Sequence, residues 1–401
     1  MAPSAGPDED GSPLIDPIRS GASVRQGLLF LLLAAAGAAL STPGFRAMHR
    51  PDLIIPGPGV TSERRLADWL PSLSGGPGDT PVYFLDGREP GGTALVVGGT
   101  HGDEAAGYLA ATVFVEAARV SRGRLLVIPR ANASGFTHNI GQEAHPSGFL
   151  IDTPGGPRRF TFGARATNPV HQWPDPQVYT HVPSGQTLSG SETRNLNRAY
   201  PGRADGTLTE RIAFAVTNLL RKEGVDLAVD LHEASPEYPV VNTIVAHERA
   251  MEIAALANLN LQAAGIAIGL ESSPTNLHGL SHREWGDATS ASALLLETTS
   301  PAQGRLRGRT DAELVTRGRD RFYLQAASRG RLSVPFGAEG WPLEVRVARH
   351  LAGVRELLAA SAGMAPDRAV VVEGLPTYEE LLSAGLGRAL RPQPAAGGTR
   401  P

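Results

Sequence analysis

The sequence predicts an α/β protein with a largely parallel sheet, on two observations. Short apolar runs bounded by turn residues recur from residue 81: VYFLDG, ALVVGG, RLLVIPR, LAVDLH, TIVAH and ALLLET. Helical patterns lie between several of these runs, at 105–119, 209–221 and 249–263. Strands that alternate with helices are typical of a layered α/β domain, which we expect over residues 81–305.

The N-terminal part has a different composition. Residues 1–23 are rich in Pro, Gly, Ser and acidic side chains and are predicted to be disordered. An uncharged apolar run follows at 27–40, short for a spanning helix but suited to an export signal, so residues 24–42 are predicted to be a signal peptide or a membrane anchor. Cleavage and retention are both left open. The alternative is a helix packed on the core of a cytoplasmic protein.

The other segments flank the expected domain. Residues 43–80 are Pro- and Gly-rich and are predicted to be a linker. Residues 306–390 show helical patterns and are expected to pack on the domain, and 391–401 form a tail. The stretch 132–205 has little periodicity, and a loop of this length is often functional, so we expect it to build a wall of the substrate pocket. Its histidines are interpreted as solvated residues rather than metal ligands.

Composition excludes some partners and sites. The net charge of −3 gives no reason to expect nucleic acid as a partner. The chain contains no cysteine, so neither disulfides nor thiolate metal ligands are available.

The motif TALVVGGTHGDEAA at 93–106 carries the first candidate ligands. A buried strand breaks at Gly98 and Gly99, and His101 and Glu104 follow with a spacing that lets both face one point. An imidazole and a carboxylate make two thirds of a catalytic zinc site of the His2Glu kind. His232 closes the apolar run LAVDL and is the third candidate, so we expect one Zn²⁺ per chain.

Further polar residues stand at or near strand ends on the expected edge of the sheet. Glu297 closes the run ALLL and is predicted to be the general base for a metal-activated water. In the run RNLNR, Asn197 and Arg198 are predicted to bind a substrate carboxylate, and Arg194 to stabilise the oxyanion. Singly, each has a simpler interpretation: His232 as a core histidine, the arginines as loop anchors. The combination and order of the motifs favour the catalytic interpretation.

These motifs resemble the zinc carboxypeptidase clan, and more closely its succinylglutamate desuccinylase/aspartoacylase branch. The similar segments are GGTHGDE at 98–104, IPRAN at 128–132, RNLNRAYPG at 194–202, DLH at 230–232 and LLLET at 294–298. The resemblance implies a mixed sheet flanked by helices, one zinc bound by His101, Glu104 and His232, and Glu297 as base. Several features depart from the family pattern. Asn195 stands where Asp is usual, and the electrophilic arginine normally lies further upstream than Arg194. Aspartoacylases carry a β-rich C-terminal domain, whereas the C-terminal part here has helical patterns. The long loop at 133–193 and the hydrophobic N-terminus are also atypical of the cytoplasmic members.

The sequence therefore predicts a zinc-dependent hydrolase of an amide bond in a carboxylate-bearing small molecule or peptide. A non-catalytic, membrane-tethered binding protein of the same fold is the alternative from another class. An esterase that uses the same metal site is the alternative enzyme.

Overall fold

The computed structural model describes residues 20–140 and 145–393. The chain divides into two units, residues 1–50 and 51–401. In the first, helix α1 spans Ser20–Met48 and contains Pro43. Its segment Val24–Met48 is long and apolar enough to cross a membrane, a property that signal sequences share. Residues 1–19 of the predicted disordered segment lie outside the described residues, as does the tail beyond 393.

The second unit is built on a sheet that has nine strands in the part of the chain that the structure describes. The strands are β1 Ser62–Arg65, β2 Pro81–Asp86, β3 Glu89–Val97, β4 Arg119–Ile128, β9 Leu227–Ala234, β10 Thr243–Ala246, β11 Gly269–Ser272, β12 Ser292–Thr299 and β13 Val371–Glu373. Their order is β1-β2-β4-β3-β9-β12-β10-β11, with β13 beside β4. Strands β4, β3, β9 and β12 run parallel at the centre of the sheet, and antiparallel pairs flank them. The predicted fold class is confirmed: the sheet is mixed and has helices on both faces.

Alternating side chains divide the sheet into two buried faces. One face packs against the helices α2 Ala105–Ala117, α4 Met251–Ala263 and α8 Leu343–Met364. The other packs against α3 Leu208–Lys222 and α5 Ser281–Ala288. Helix α2 lies so close to β9 that a Cβ at Gly107 would stand 2.3 Å from the carbonyl oxygen of Leu231. This contact fixes the start of α2 over the end of β9.

Residues 62–80, expected to be linker, belong to the folded unit. Strand β1 pairs with β2, and Leu66, Trp69 and Leu73 are buried against the second face of the sheet. The Pro- and Gly-rich composition did not indicate this packing, because only a few apolar residues in the segment make it.

The stretch 132–205 is structured although its sequence lacks periodicity. It contains the hairpins β5 Phe149–Thr153 with β6 Gly156–Phe160, and β7 Val178–Thr180 with β8 Thr187–Ser189. Phe149, Phe160 and Phe162 anchor it in the core. Beyond β12 the chain is mainly helical, as predicted, with α6 Ala312–Arg317, α7 Arg321–Ser328, α8, α9 Tyr378–Ala384 and α10 Leu386–Ala389.

Candidate active site

The turn between β3 and α2 positions the first two candidate ligands. Gly99 has a φ of +65°, a conformation that favours glycine, and a Cβ at Gly98 would stand 2.7 Å from the carbonyl oxygen of Gly107. The chain therefore turns sharply and close to the helix. His101 lies in this turn, and Glu104 immediately precedes α2.

His101, Glu104 and His232 converge on one buried point, and one potential ligand atom from each lies within 4.8 Å of the others. His101 Nδ1 lies 2.6 Å from Glu104 Oε1. His232 Nδ1 lies 2.9 Å from Glu104 Oε2. The structure thus brings His232, which is more than a hundred residues away in sequence, to the pair His101 and Glu104 that the first motif named.

Hydrogen bonds on the far side of each ring set the orientation of both histidines. His101 Nε2 lies 2.9 Å from Asn195 Oδ1, and Asn195 Nδ2 donates to Glu192 Oε2 at 2.7 Å, which fixes the amide so that its oxygen accepts. His232 Nε2 lies 2.8 Å from Asp230 Oδ2. Both Nε2 atoms therefore donate to these outer acceptors, and both Nδ1 atoms are turned toward the Glu104 carboxylate.

This arrangement fits a divalent cation. Nitrogen lone pairs at 2.6 Å and 2.9 Å from carboxylate oxygens repel unless a proton or a cation lies between them. Although burial opposes charge on both groups, the Asp230 and Glu104 carboxylates hold the pKa of His232 well above its usual range, and the two histidines hold the pKa of Glu104 well below its own. Two imidazoles and a carboxylate with oriented outer partners are the donors of a catalytic zinc site.

Glu297 lines the same cavity from the adjacent strand. In the register of β12 with β9 it lies beside His232. Its Oε2 atom is buried without a hydrogen-bond partner among the described residues, and burial raises the pKa of the carboxyl to about 8. A carboxyl group in this state can exchange a proton near neutral pH.

The cavity above the cluster has a volume of about 460 Å³ and is also lined by Asn197 and Arg198. Arg198 Nη1 donates to the carbonyl oxygen of Asn197 at 2.6 Å, and burial lowers the pKa of the guanidinium. Asn197 Oδ1 accepts from the backbone N–H of Ser281 at 2.8 Å, which ties this segment to the start of α5.

The position of Arg194 does not agree with its predicted role. Its Nε and Nη2 atoms donate to the two carboxylate oxygens of Asp175 at 2.7 Å and 2.8 Å, and Nη1 donates to the carbonyl oxygen of Thr167 at 3.0 Å. Arg194 does not line the cavity, because this ion pair engages its guanidinium group elsewhere.

Arg165, from the stretch 132–205, lies beside the candidate ligands, where an arginine that stabilises an oxyanion was expected. Its Nη1 atom lies 3.3 Å from both Glu104 Oε1 and His101 Nδ1. Its side chain is 42% exposed and lines the cavity. No local motif marks this residue; only the expected upstream position of an electrophilic arginine could have indicated it.

Glu233, the residue after His232, supports Glu104 from behind, a contact that the sequence does not indicate. The backbone N–H of Glu233 donates to Glu104 Oε2 at 3.1 Å, and the Glu233 carboxylate accepts from Ala106 N–H at 2.8 Å. Arg346 of α8 donates to the same carboxylate at 2.7 Å, and both side chains are fully buried. The C-terminal helical part therefore contributes to the candidate metal centre.

The fold and the cluster together define a mixed α/β protein with a candidate His-Glu-His metal centre at the carboxyl ends of its central strands. Residues 183–305 match the family model of the succinylglutamate desuccinylase/aspartoacylase catalytic domain. The resemblance predicted from the motifs is thereby confirmed over this segment. It contains His232, Glu297 and the RNLNR run, whereas His101 and Glu104 lie outside it.

Individual relatives are more distant. N-alpha-acetyl-L-2,4-diaminobutyric acid deacetylase of Halomonas elongata is 25% identical over 162 residues, which cover 40% of this chain and 34% of the relative. The matched region thus spans about a third of that protein's length.

Solved structures with a similar arrangement cover more of the chain at lower identity. The product-bound ectoine utilization protein EutE (DoeB) of Ruegeria pomeroyi has a TM-score of 0.37 and 21% identity, covering 71% of this chain and 61% of that one. A metallo-carboxypeptidase of Burkholderia cenocepacia has a TM-score of 0.43 and 12% identity, covering 82% and 69%.

Proposed function

We propose that the protein is a zinc-dependent hydrolase of an amide bond in a carboxylate-bearing substrate. The observation that carries the proposal is the convergence of His101 Nδ1, His232 Nδ1 and the Glu104 carboxylate, with both Nε2 atoms held by outer acceptors. When bound there, zinc would supply Lewis-acid chemistry, acidifying water and polarising a carbonyl.

Glu297 is the proposed general base. Its free carboxylate oxygen lies at the cavity without a partner among the described residues, so it can accept a proton from water. The same carboxyl then donates this proton to the leaving nitrogen, for which its raised pKa of about 8 is suited.

Two arginines have separate roles in the proposal. Arg198 binds the substrate carboxylate with Asn197, because its guanidinium lines the cavity and is desolvated. Arg165 stabilises the oxyanion, since its Nη1 atom lies 3.3 Å from two of the candidate ligand atoms and its exposure leaves it free to contact substrate.

Two substrate types fit this site. The name of the Halomonas elongata relative describes the removal of an acetyl group from a small amino acid, and we propose N-acyl amino acids as the first type. Peptides trimmed at their C-terminus are the second, and export of the chain through its apolar helix would favour them.

The test combines metal content with turnover of the Glu297→Gln variant. We expect about one zinc per chain in both proteins, measured by mass spectrometry of the metal. The variant should hydrolyse N-acyl amino acids or peptides at least ~100-fold more slowly, because it lacks the base. Glu252→Gln, an exposed substitution on α4, is the control and should retain full turnover.

Two results would contradict the proposal: no zinc bound even after its addition, or unchanged turnover in Glu297→Gln. Amides and esters of the same acyl group, compared side by side, distinguish an amide hydrolase from an esterase. A protein that binds zinc and amino acids but hydrolyses neither the amides nor the esters would be a binding protein.

A further inference from the structure

One carboxylate in the cavity has no part in the chemistry described so far. Four glutamates line the cavity: Glu104, Glu233, Glu297 and Glu271. Glu104 contacts the histidines, Glu233 pairs with Arg346, and Glu297 lies beside His232. In the part of the chain that the structure describes, the Glu271 side chain has no hydrogen bond or ion pair, and the residue is exposed at the mouth of the cavity. A negative charge left without a protein partner in a substrate cavity is available to a cationic ligand group.

The register of the sheet directs Glu271 toward the cavity. Strand β11 is parallel to β10, and Glu271 pairs with Val245, which in turn pairs with Leu295 on β12. These three residues all line the cavity. Their neighbours Leu270, Ile244 and Leu294 or Leu296 pack into the core on the opposite face. Since side chains alternate along a strand, Glu271 belongs to the face that carries Glu297.

Leu295, Val245 and Glu271 lie side by side across three strands and could contact one substrate side chain. Leu295 and Val245 form an apolar floor next to Glu297, and Glu271 ends the row at the edge strand of the sheet. Neighbouring strands lie ~4.8 Å apart, so the carboxylate stands about 10 Å from the strand that carries the base. An apolar floor that ends in a carboxylate matches a side chain with a methylene stem and a cationic end.

We infer that Glu271 binds a cationic group, an ammonium or guanidinium, at the end of an aliphatic side chain of the substrate. The inference deepens the proposed function and rests on it for the position of the scissile bond. It narrows the substrate class to N-acyl derivatives or peptides of basic amino acids, bound with their carboxylate at Arg198 and their side chain along Leu295 and Val245. The simpler interpretation is that Glu271 is a solvated surface acid. In that case it has no effect on whether a cationic or an uncharged side chain binds better.

The experiment compares two probes of nearly equal shape, lysine and norleucine, and their N-acetyl derivatives. Binding of the free amino acids to the zinc-loaded protein is measured by calorimetry, and hydrolysis of the acetyl derivatives gives kcat/KM. For the wild type we expect lysine and Nα-acetyl-lysine to be favoured by about twofold to fivefold, the range of an exposed charge pair. Ornithine and 2,4-diaminobutyrate then report the stem length that the floor accepts.

Glu271→Gln should abolish this preference while retaining turnover of N-acetyl-norleucine, because the substitution keeps the shape and removes only the charge. Glu271→Lys should reverse it in favour of the acidic analogue 2-aminoadipate. Glu252→Gln, which removes the same charge from α4 outside the cavity, should keep the wild-type preference.

A wild type without preference, or a Glu271→Gln variant that keeps the preference, overturns the inference. If lysine binding depends on Glu271 but no amide is hydrolysed, the subsite stands and the proposed function fails. If amides are hydrolysed without regard to side-chain charge, the proposed function stands and the subsite fails.

Discussion

The amide of Asn195 has a defined orientation, and this matters for the candidate ligand His101. Because Asn195 Nδ2 donates to Glu192, its oxygen faces His101 Nε2 and holds the proton there. The amide thus orients His101 without a negative charge, whereas Asp is the usual residue at this position in the family that the motifs resemble. Asp230 supplies a carboxylate only to the other histidine.

Arg165 and Arg194 offer a matched pair of substitutions. Arg165→Met should lower kcat by about 100-fold with a smaller effect on KM, because the oxyanion loses a donor that contacts it only during reaction. Arg194→Met should leave kcat close to the wild type, since Arg194 pairs with Asp175 outside the cavity. Steady-state kinetics measure both. A large loss of kcat in Arg194→Met with wild-type turnover in Arg165→Met would restore the original assignment.

At the scale of elements, strand ends were predictable and supporting contacts were not. The apolar runs located β3, β9 and β12, and the residues that close or follow them, His101, His232 and Glu297, reach one cavity. Glu233 follows a candidate ligand directly, yet the sequence gives no sign that it pairs with a helix more than a hundred residues later. Such contacts depend on tertiary packing and leave no local periodicity.

Helix α8 carries a residue whose loss should strongly affect the fold. Arg346→Met leaves the Glu233 carboxylate buried without its ion-pair partner, and we expect a loss of about 3–5 kcal/mol in the free energy of unfolding. Urea denaturation measures it. The double variant Glu233→Gln/Arg346→Met should recover part of this lost stability, because it leaves no unpaired charge in the core. If the double variant loses as much free energy of unfolding as the two single variants together, this expectation is contradicted.

The contact between α5 and the segment before α4 predicts a dependence of stability on pH. Arg283 donates to both carboxylate oxygens of Glu248 at 2.9 Å and 2.8 Å, and these bonds lower the pKa of Glu248 from 4.5 to about 2. The folded state therefore binds the proton more weakly than the unfolded state. The stabilisation is complete above pH 4.5 and is lost as the pH falls toward 2.

Glu248→Gln should accordingly be less stable than the wild type at pH 7, by at most about 1 kcal/mol because Glu248 is half exposed. The difference should shrink between pH 4.5 and pH 3 in urea titrations. Glu252→Gln provides the comparison. A difference that stays constant over this range would show that the ion pair contributes nothing.

At the scale of the whole molecule, composition alone predicted linker or loop for two stretches that are in fact packed against the core. The stretches 43–80 and 132–205 lack periodicity, yet Trp69 and Phe160 bury them against the core. Sparse aromatic anchors hold such segments, and sparse anchors produce no regular pattern. The prediction that the stretch 132–205 builds a wall of the substrate pocket agrees with the position of Arg165 at the cavity.

Residues 1–50 should be separable from the folded unit. The 25 residues Val24–Met48 would span about 37 Å as a helix, more than the ~30 Å of a bilayer core, so we expect the full chain in the membrane fraction. Residues 51–401 should be released from membranes and keep metal binding and turnover. Mass spectrometry of the full chain expressed with export distinguishes a cleaved signal from a retained anchor. A full chain recovered entirely without membranes and uncut would exclude both.

The link from Arg346 through Glu233 to Glu104 has a consequence for biosynthesis. The turn with His101 and Glu104 is synthesised before the helix that completes its support, because α8 follows it by more than two hundred residues. A nascent chain that has already formed its central strands therefore still lacks the guanidinium that neutralises Glu233. We therefore expect a chain that is cut before α8 to bind a metal ion more weakly than the whole chain, because Glu233 then stays buried beside Glu104 without its cation.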